Sequence, residues 1–277
     1  MALAGDTVVV GAPGANVAGV TDAGAAYVFV RSGDTWTQQA KLTAGDLVTS
    51  SPAFGTSVAG DGDTILVSSP RAGAQGQGLV FVFVRSVSTW TRQAALTGFD
   101  STAEDLFGQA VALRGNLAVI GSPGDDIGAA ANRGSIRVFV RSGTDWTETT
   151  QRTNPGGAAG DQFGRAIAMT ADAVVVTANA ADTPSNRDAG MAYAYARTAS
   201  TLATYPILLF DPIIRAGDFF GYVVAADGLR AVVGAPLQDS SERIAIATRG
   251  AARLPTDPCR DAPSGGCRPE CGADRTA

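Results

Sequence analysis

The chain has 277 residues and no histidine, and its three cysteines, Cys259, Cys267 and Cys271, all fall in the last twenty positions. Without imidazole there is no Ser-His-Asp triad, no Cys-His nucleophile pair and no His-ligated metal centre. An odd number of cysteines spaced C-x7-C-x3-C fits no zinc template and cannot pair completely within one chain. No run of 18 apolar residues occurs, so nothing reads as a membrane-spanning helix. The net charge is −5 and no Lys/Arg cluster marks any element, so nucleic acid is not an expected partner. The opening stretch, MALAGDTVVVG, lacks the basic and long apolar regions of a secretory signal.

What is present is a turn-rich, globular composition, 45% hydrophobic and 17% charged with 34 glycines, in a chain long enough to bury a substantial core. One phrase is written three times: VFVRSGDTW at Val28–Trp36, VFVRSVSTW at Val82–Trp90 and VFVRSGTDW at Val138–Trp146. It takes all three tryptophans, at steps of 54 and 56 residues. A Phe-Gly pair keeps a similar beat at Phe54-Gly55, Phe107-Gly108, Phe163-Gly164 and Phe220-Gly221, with steps of 53, 56 and 57. After each pair comes a short apolar run, and in most copies it closes on proline, as in ILVSSP to Pro70, AVIGSP to Pro123 and AVVGAP to Pro236, while VVVGAP to Pro13 opens the series.

These runs are short, rich in Val, Ile, Phe and Tyr, and bounded by Gly, Pro, Asp and Asn, which is the pattern of strands joined by turns. No window carries a capped helical stripe. In AYVFV both strand faces are apolar, so both must be covered, whereas a half-exposed sheet would alternate apolar and polar residues. Four-stranded antiparallel sheets covered on both faces and repeated about every 50 residues define an all-β chain of β-propeller blades. The units are expected near 1–47, 54–97, 107–153, 163–210 and 220–248, giving a propeller domain over 1–250 and a Cys/Pro/Arg-rich tail over 251–277. About five blades would close a ring; otherwise the chain is an open arc of a larger, seven-bladed one.

The FG pairs, with Gly11-Ala12-Pro13, Gly121-Ser122-Pro123 and Gly234-Ala235-Pro236, resemble the FG-GAP repeat family, the blades of integrin α-subunit propellers and of many exported bacterial proteins. The bacterial variety looks closest. The resemblance covers about residues 1–240 and implies a non-catalytic scaffold for protein or glycan binding and cell adhesion, at a bacterial cell surface or outside the cell. Integrin-type blades often hold calcium in a loop between the FG and GAP strands. Here that connection is only a hairpin, as in AGDGDT at Ala59–Thr64 or LRGN at Leu113–Asn116, so calcium is not carried over. The acids of the next loop, Asp125, Asp126, Asp182 and Asp188, remain as candidate metal ligands, and no cofactor is otherwise expected. Alternatives are a fragment of a propeller-type polysaccharide lyase or hydrolase, in which Asp125 and Asp182 meet across blades, and a truncated repeat protein without independent function.

Recurrent residues read as architecture. Trp36, Trp90 and Trp146 each begin the outer strand, where a large apolar ring shields the blade edge and its N–H reaches a partner; a sugar-stacking platform is the functional rival. Arg31, Arg85, Arg141 and Arg197 end the third strand and are expected to stack on the neighbouring indole rather than form an anion-binding ring. Asp105, Asp161 and Asp218, two residues before each FG phenylalanine, fit turn caps better than catalytic acids. Phe-Gly reads as core, with Phe between blades and Gly permitting close backbone approach. Met1 aligns with Val111, inside a first strand, so the natural protein is expected to extend upstream. Beyond GAPLQDSS only Ile244–Thr248 is expected to continue as strand. Specific function is therefore expected in the loops that do not repeat, Asn16–Asp22, Asp125–Arg133 and Asp182–Asp188.

Overall fold

In the computed structural model the described residues are 1–45, 53–209 and 214–238, and all belong to one compact unit, Met1–Ala247. Within them the chain forms four sheets of four antiparallel strands and a final hairpin. Sheet 1 contains β1 (Ala2–Ala4), β2 (Thr7–Ala12), β3 (Ala25–Ser32) and β4 (Thr35–Leu42). Sheet 2 contains β5 (Val58–Asp61), β6 (Thr64–Ser69), β7 (Leu79–Ser86) and β8 (Thr89–Leu96). Sheet 3 contains β9 (Ala110–Arg114), β10 (Leu117–Ser122), β11 (Ser135–Ser142) and β12 (Asp145–Arg152). Sheet 4 contains β13 (Phe163–Met169), β14 (Ala173–Ala178), β15 (Met191–Ala196) and β16 (Ile207–Leu209). The hairpin is β17 (Val223–Asp227) with β18 (Arg230–Gly234). Strands pair in chain order within each sheet, the meander of a propeller blade.

Both faces of the inner sheets are buried, and alternate residues divide between two joints. On sheet 3, Val111, Leu113, Ala118, Ile120 and Phe139 pack backward against Leu66, Val80 and Val82 of sheet 2. Their strand neighbours Ala110, Ala112, Leu117, Val119, Ile136 and Val138 pack forward against Ile167, Val174 and Val176 of sheet 4. Sheet 2 likewise turns Ile65, Val67, Phe81 and Phe83 onto Val9, Ala26 and Val28 of sheet 1. The period of two thus serves two neighbours instead of core and solvent, which is why the runs are apolar throughout.

The FG pairs sit inside these joints. Phe54 is fully buried, lies 5.3 Å from the Phe81 ring, and its N–H donates to Ala23 of the preceding sheet at 3.3 Å. Phe163 and Phe220 bond to Arg133 and Ala189 in the same way. The glycine of GAP is needed because the next FG pair presses on it: a Cβ on Gly11 would stand 2.0 Å from the Gly55 carbonyl oxygen, and one on Gly121 2.0 Å from that of Gly164. Where GAP has no glycine, at Ser68 and Thr177, the hydroxyl accepts the Ser57 and Ala166 amides instead.

The sheets do not close into a ring: among the described residues the first and fifth sheets share no packing comparable to the joints between neighbours. The fourth sheet lacks the tryptophan, and its outer strand shrinks to three residues. The tail over 251–277 and Ile244–Thr248 lie outside the described residues.

Candidate functional site

The loop between the second and third strands of a blade is closed the same way three times. The side-chain oxygen of Asn16, Asp126 and Asp182 accepts the backbone N–H six residues on, at Asp22, Asn132 and Asp188 respectively, at 2.8–3.0 Å. The receiving residues adopt φ near +50°, which Asn and Asp tolerate better than most side chains. Three of the four candidate metal ligands, Asp126, Asp182 and Asp188, are therefore parts of a loop clasp. Among the described residues no three acidic or cysteine side chains converge in metal-ligand geometry.

Asp105, Asp161 and Asp218 are buried turn caps. Their carboxylates accept the backbone N–H groups of Thr102, Ala158 and Arg215, each three residues back, at 2.7–2.8 Å. Each cap fixes the turn that delivers the FG phenylalanine into its joint.

Arg31, Arg85 and Arg141 lie over the indoles of Trp36, Trp90 and Trp146, with 5.9, 5.1 and 5.3 Å to the ring centroids. Arg31 and Arg85 also bind Asp6 and Asp63, while Arg85 and Arg141 reach across the joint to Thr7 and Thr64. Arg197 departs from this expectation: with no tryptophan beside it, it donates to the Ala171 carbonyl. Trp90 and Trp146 pack into the joints and donate Nε1–H to Gln39 and Gln93 of the preceding sheet, at 2.8 and 3.1 Å. Both glutamines are bulge residues, the one extra position where β4 and β8 slip against their partners. The sequence reading missed this pairing, although its signal was present: glutamine stands three residues after Trp36 and Trp90 but not after Trp146, which has no tryptophan to serve in the next blade.

One blade breaks the pattern from inside. Arg137 stands on β11 where the other blades have Tyr27, Phe81 and Tyr193, and it is 2% exposed. Its guanidinium donates to Glu148 at 3.0 Å, to Asp100 in the loop leading into sheet 3, and to Asp125 at 3.4 Å. Asp125 also accepts from the Ser135 hydroxyl and from Gln151 at 2.9 Å. Burial pushes the Asp125 carboxyl above its ordinary value, against the pull of the Ser135 hydrogen bond and of the Arg137 charge, with nearby Asp105 adding to the rise. Burial alone would lower Arg137, but Glu148 and Asp100 outweigh it and hold the guanidinium charged.

Above this network lies an open pocket of about 450 Å³ lined by Asp100, Thr102, Glu104, Asp125, Asp126 and Asn132 among others. A second pocket, of about 260 Å³, shares Gly124 and Asn132 with it and continues over Leu106, Gln109, Gln162 and Arg165. Of the three expected loops, Asp125–Arg133 is the one that borders both pockets.

Four-stranded meanders stacked face to face through recurrent Phe-Gly joints define a repeat protein of the propeller-blade class. Comparison with known families matches the FG-GAP repeat at residues 36–83, 90–139 and 146–195, together more than half of the chain, and the protein belongs to that family. Each matched stretch starts at the tryptophan of one sheet and ends in the third strand of the next, so the repeat of the family straddles a joint. No curated protein matches the chain. Among the described residues no helix is long and apolar enough to cross a membrane.

Proposed function

We propose that this protein is a non-catalytic scaffold that binds a protein or glycan ligand outside the cell or at its surface, through the polar groove formed by the two adjoining pockets across sheets 2 to 4. The observation that carries this reading is the position of the groove. It lies where the repeat is broken by the Arg137 network, and its lining combines carboxylates with the amides of Gln109, Asn132 and Gln162 and the guanidinium of Arg165. Such a surface supplies convergent donors and acceptors on a rigid frame, as polar-ligand sites require.

The pair Asp125 and Asp182 lends no support to a catalytic role. Asp125 is held by three side chains and Asp182 by its own loop, and neither stands ready as acid or base. The loops are proposed to work without calcium, since the clasp oxygens already serve backbone amides; calcium titration should leave the melting temperature unchanged, and a rise would overturn that part of the reading.

The test is to probe the intact chain on glycan and peptide arrays and titrate the hits against two variants. Gln162→Ala, which alters the groove, should weaken binding at least about tenfold, as loss of a buried polar contact does. Asn16→Ala, in the equivalent loop of the first sheet, should leave affinity unchanged. Hits that ignore Gln162→Ala, or that are cleaved, would sink the proposal.

A further inference from the structure

We propose that two copies of this chain join head to tail, the fifth sheet of one packing on the first sheet of the next as if it were the following blade. Each internal joint pairs the forward face of one sheet with the backward face of its successor. Among the described residues one face of each kind is left uncovered. On the fifth sheet the backward residues Val224, Ala226, Ala231 and Val233 pack against sheet 4, whereas Val223 and Val232 on the forward side are 57% and 39% exposed. Val232 occupies the register position of Leu66 and Val119, which are fully buried in their joints. On the first sheet the backward residue Leu3 is 67% exposed, and Val8, Val10, Tyr27 and Phe29 are only partly covered, although their counterparts Ile65, Val67, Phe81 and Phe83 are buried.

The polar contacts of a joint are also prepared at these ends. Asp61 closes the joint between sheets 2 and 3 by accepting the Gly115 N–H at 2.6 Å. Asp227 stands at the register of Asp61, and Gly5 at that of Gly115, so a fifth sheet set against a first sheet repeats the bond. One like-charge contact opposes the joint: Arg230 holds the position where Thr7 and Thr64 receive the arginine of the next blade, so it meets Arg31, with Asp6 beside them as countercharge. The occupant is thus a second copy because the complement of each free face is the other free face, while among the described residues of one chain the two remain apart.

The geometry supplies a crosslinking test. A Cβ on Gly60 lies 3.3 Å from that of Ala4 across the joint between sheets 1 and 2, and Leu3 and Asp227 stand at the equivalent positions of the proposed one. Such a spacing is close to that spanned by a disulfide. In full-length chains with Cys259, Cys267 and Cys271 replaced by serine, Leu3→Cys and Asp227→Cys variants are purified separately, mixed and oxidised. A disulfide-linked dimer formed in the mixture, and to a much smaller extent by either variant alone, is the expected result. The pair Gly60→Cys with Ala4→Cys in one chain serves as the control that the joint geometry permits the bond. If the mixture gives no dimer while the control closes, or if Leu3→Cys and Asp227→Cys combined in one chain yield only an intrachain link, the proposal is overturned. Light scattering of the unmodified chain provides the second reading: a mass that rises with concentration supports the joint, and a monomer at every concentration rejects it.

Discussion

At the scale of single residues, two kinds of glycine carry the fold for different reasons. Gly143 takes φ +64° in an open turn with nothing near its missing Cβ, so alanine there meets only backbone strain, about 1 kcal/mol. Gly121 has an unremarkable φ, yet its missing Cβ leaves the space taken by the Gly164 carbonyl oxygen of the next blade. Gly121→Ala should therefore cost more, about 3 kcal/mol in urea unfolding, and equal losses in the two variants would refute the assignment. Arg137 shows the opposite economy of space, a cation placed where an aromatic ring normally fills the joint. Removing it strands Asp125 and Glu148, so Arg137→Ala should lose roughly 3–5 kcal/mol, whereas an unpatterned surface arginine would lose little. Asp125 adds a pH signature. Because burial raises its folded value above the ordinary 3.8, the folded state holds the proton more tightly than the unfolded chain does. Its contribution to stability is complete below the ordinary value and is lost as pH rises through the raised one. Wild type should therefore lose stability relative to Asp125→Asn as pH increases from about 3 to 7, and a difference that does not vary with pH would contradict this.

At the scale of elements, the strands and their order were legible because period-two patterning, Gly/Pro punctuation and a recurring phrase all agree. The covered faces were legible too, since Phe81 and Phe83 on alternate residues with Val80 and Val82 leave no polar side to expose. What stayed hidden were contacts made by sequence-distant neighbours that look ordinary in the chain. Gln39 reads as a surface polar residue until the bulge in β4 aims it at Trp90, and Arg137 reads as one more strand arginine until β11 is seen buried. The loops Asn16–Asp22 and Asp182–Asp188 looked as distinctive as Asp125–Arg133, but the shared clasp is local chemistry and only the middle loop borders the groove. The Trp–Gln link gives an element-level expectation. Trp90→Phe keeps the apolar ring but leaves Gln39 without its donor, for a loss of about 1 kcal/mol in thermal or urea unfolding. Trp36→Phe, on the first sheet with no preceding sheet against it, should fall within about 0.5 kcal/mol of wild type. Equal effects at the two sites would show that the bond across the joint contributes nothing.

At the scale of the whole molecule, a chain of blades is stabilised by unit and joint together, and each sheet that lacks a neighbour leaves apolar surface in water. Among the described residues the first sheet has its backward face open and the fifth its forward face, so the two sheets differ in kind and not merely in exposure. This asymmetry makes association directional, giving a ring if the rotation at the joint closes and a longer assembly if it does not. Arg230 limits how readily that happens, because it places a second guanidinium where sheets 1 and 2 offer a threonine hydroxyl to the incoming arginine. Placing the residue of sheets 1 and 2 there by Arg230→Thr removes a like-charge contact worth on the order of 1 kcal/mol and supplies the missing acceptor. The concentration at which larger species appear in light scattering should then fall about fivefold, and the remaining salt sensitivity of association should weaken. If Arg230→Thr instead leaves that concentration unchanged, Arg31 does not sit against Arg230 and the register assigned to the joint is wrong.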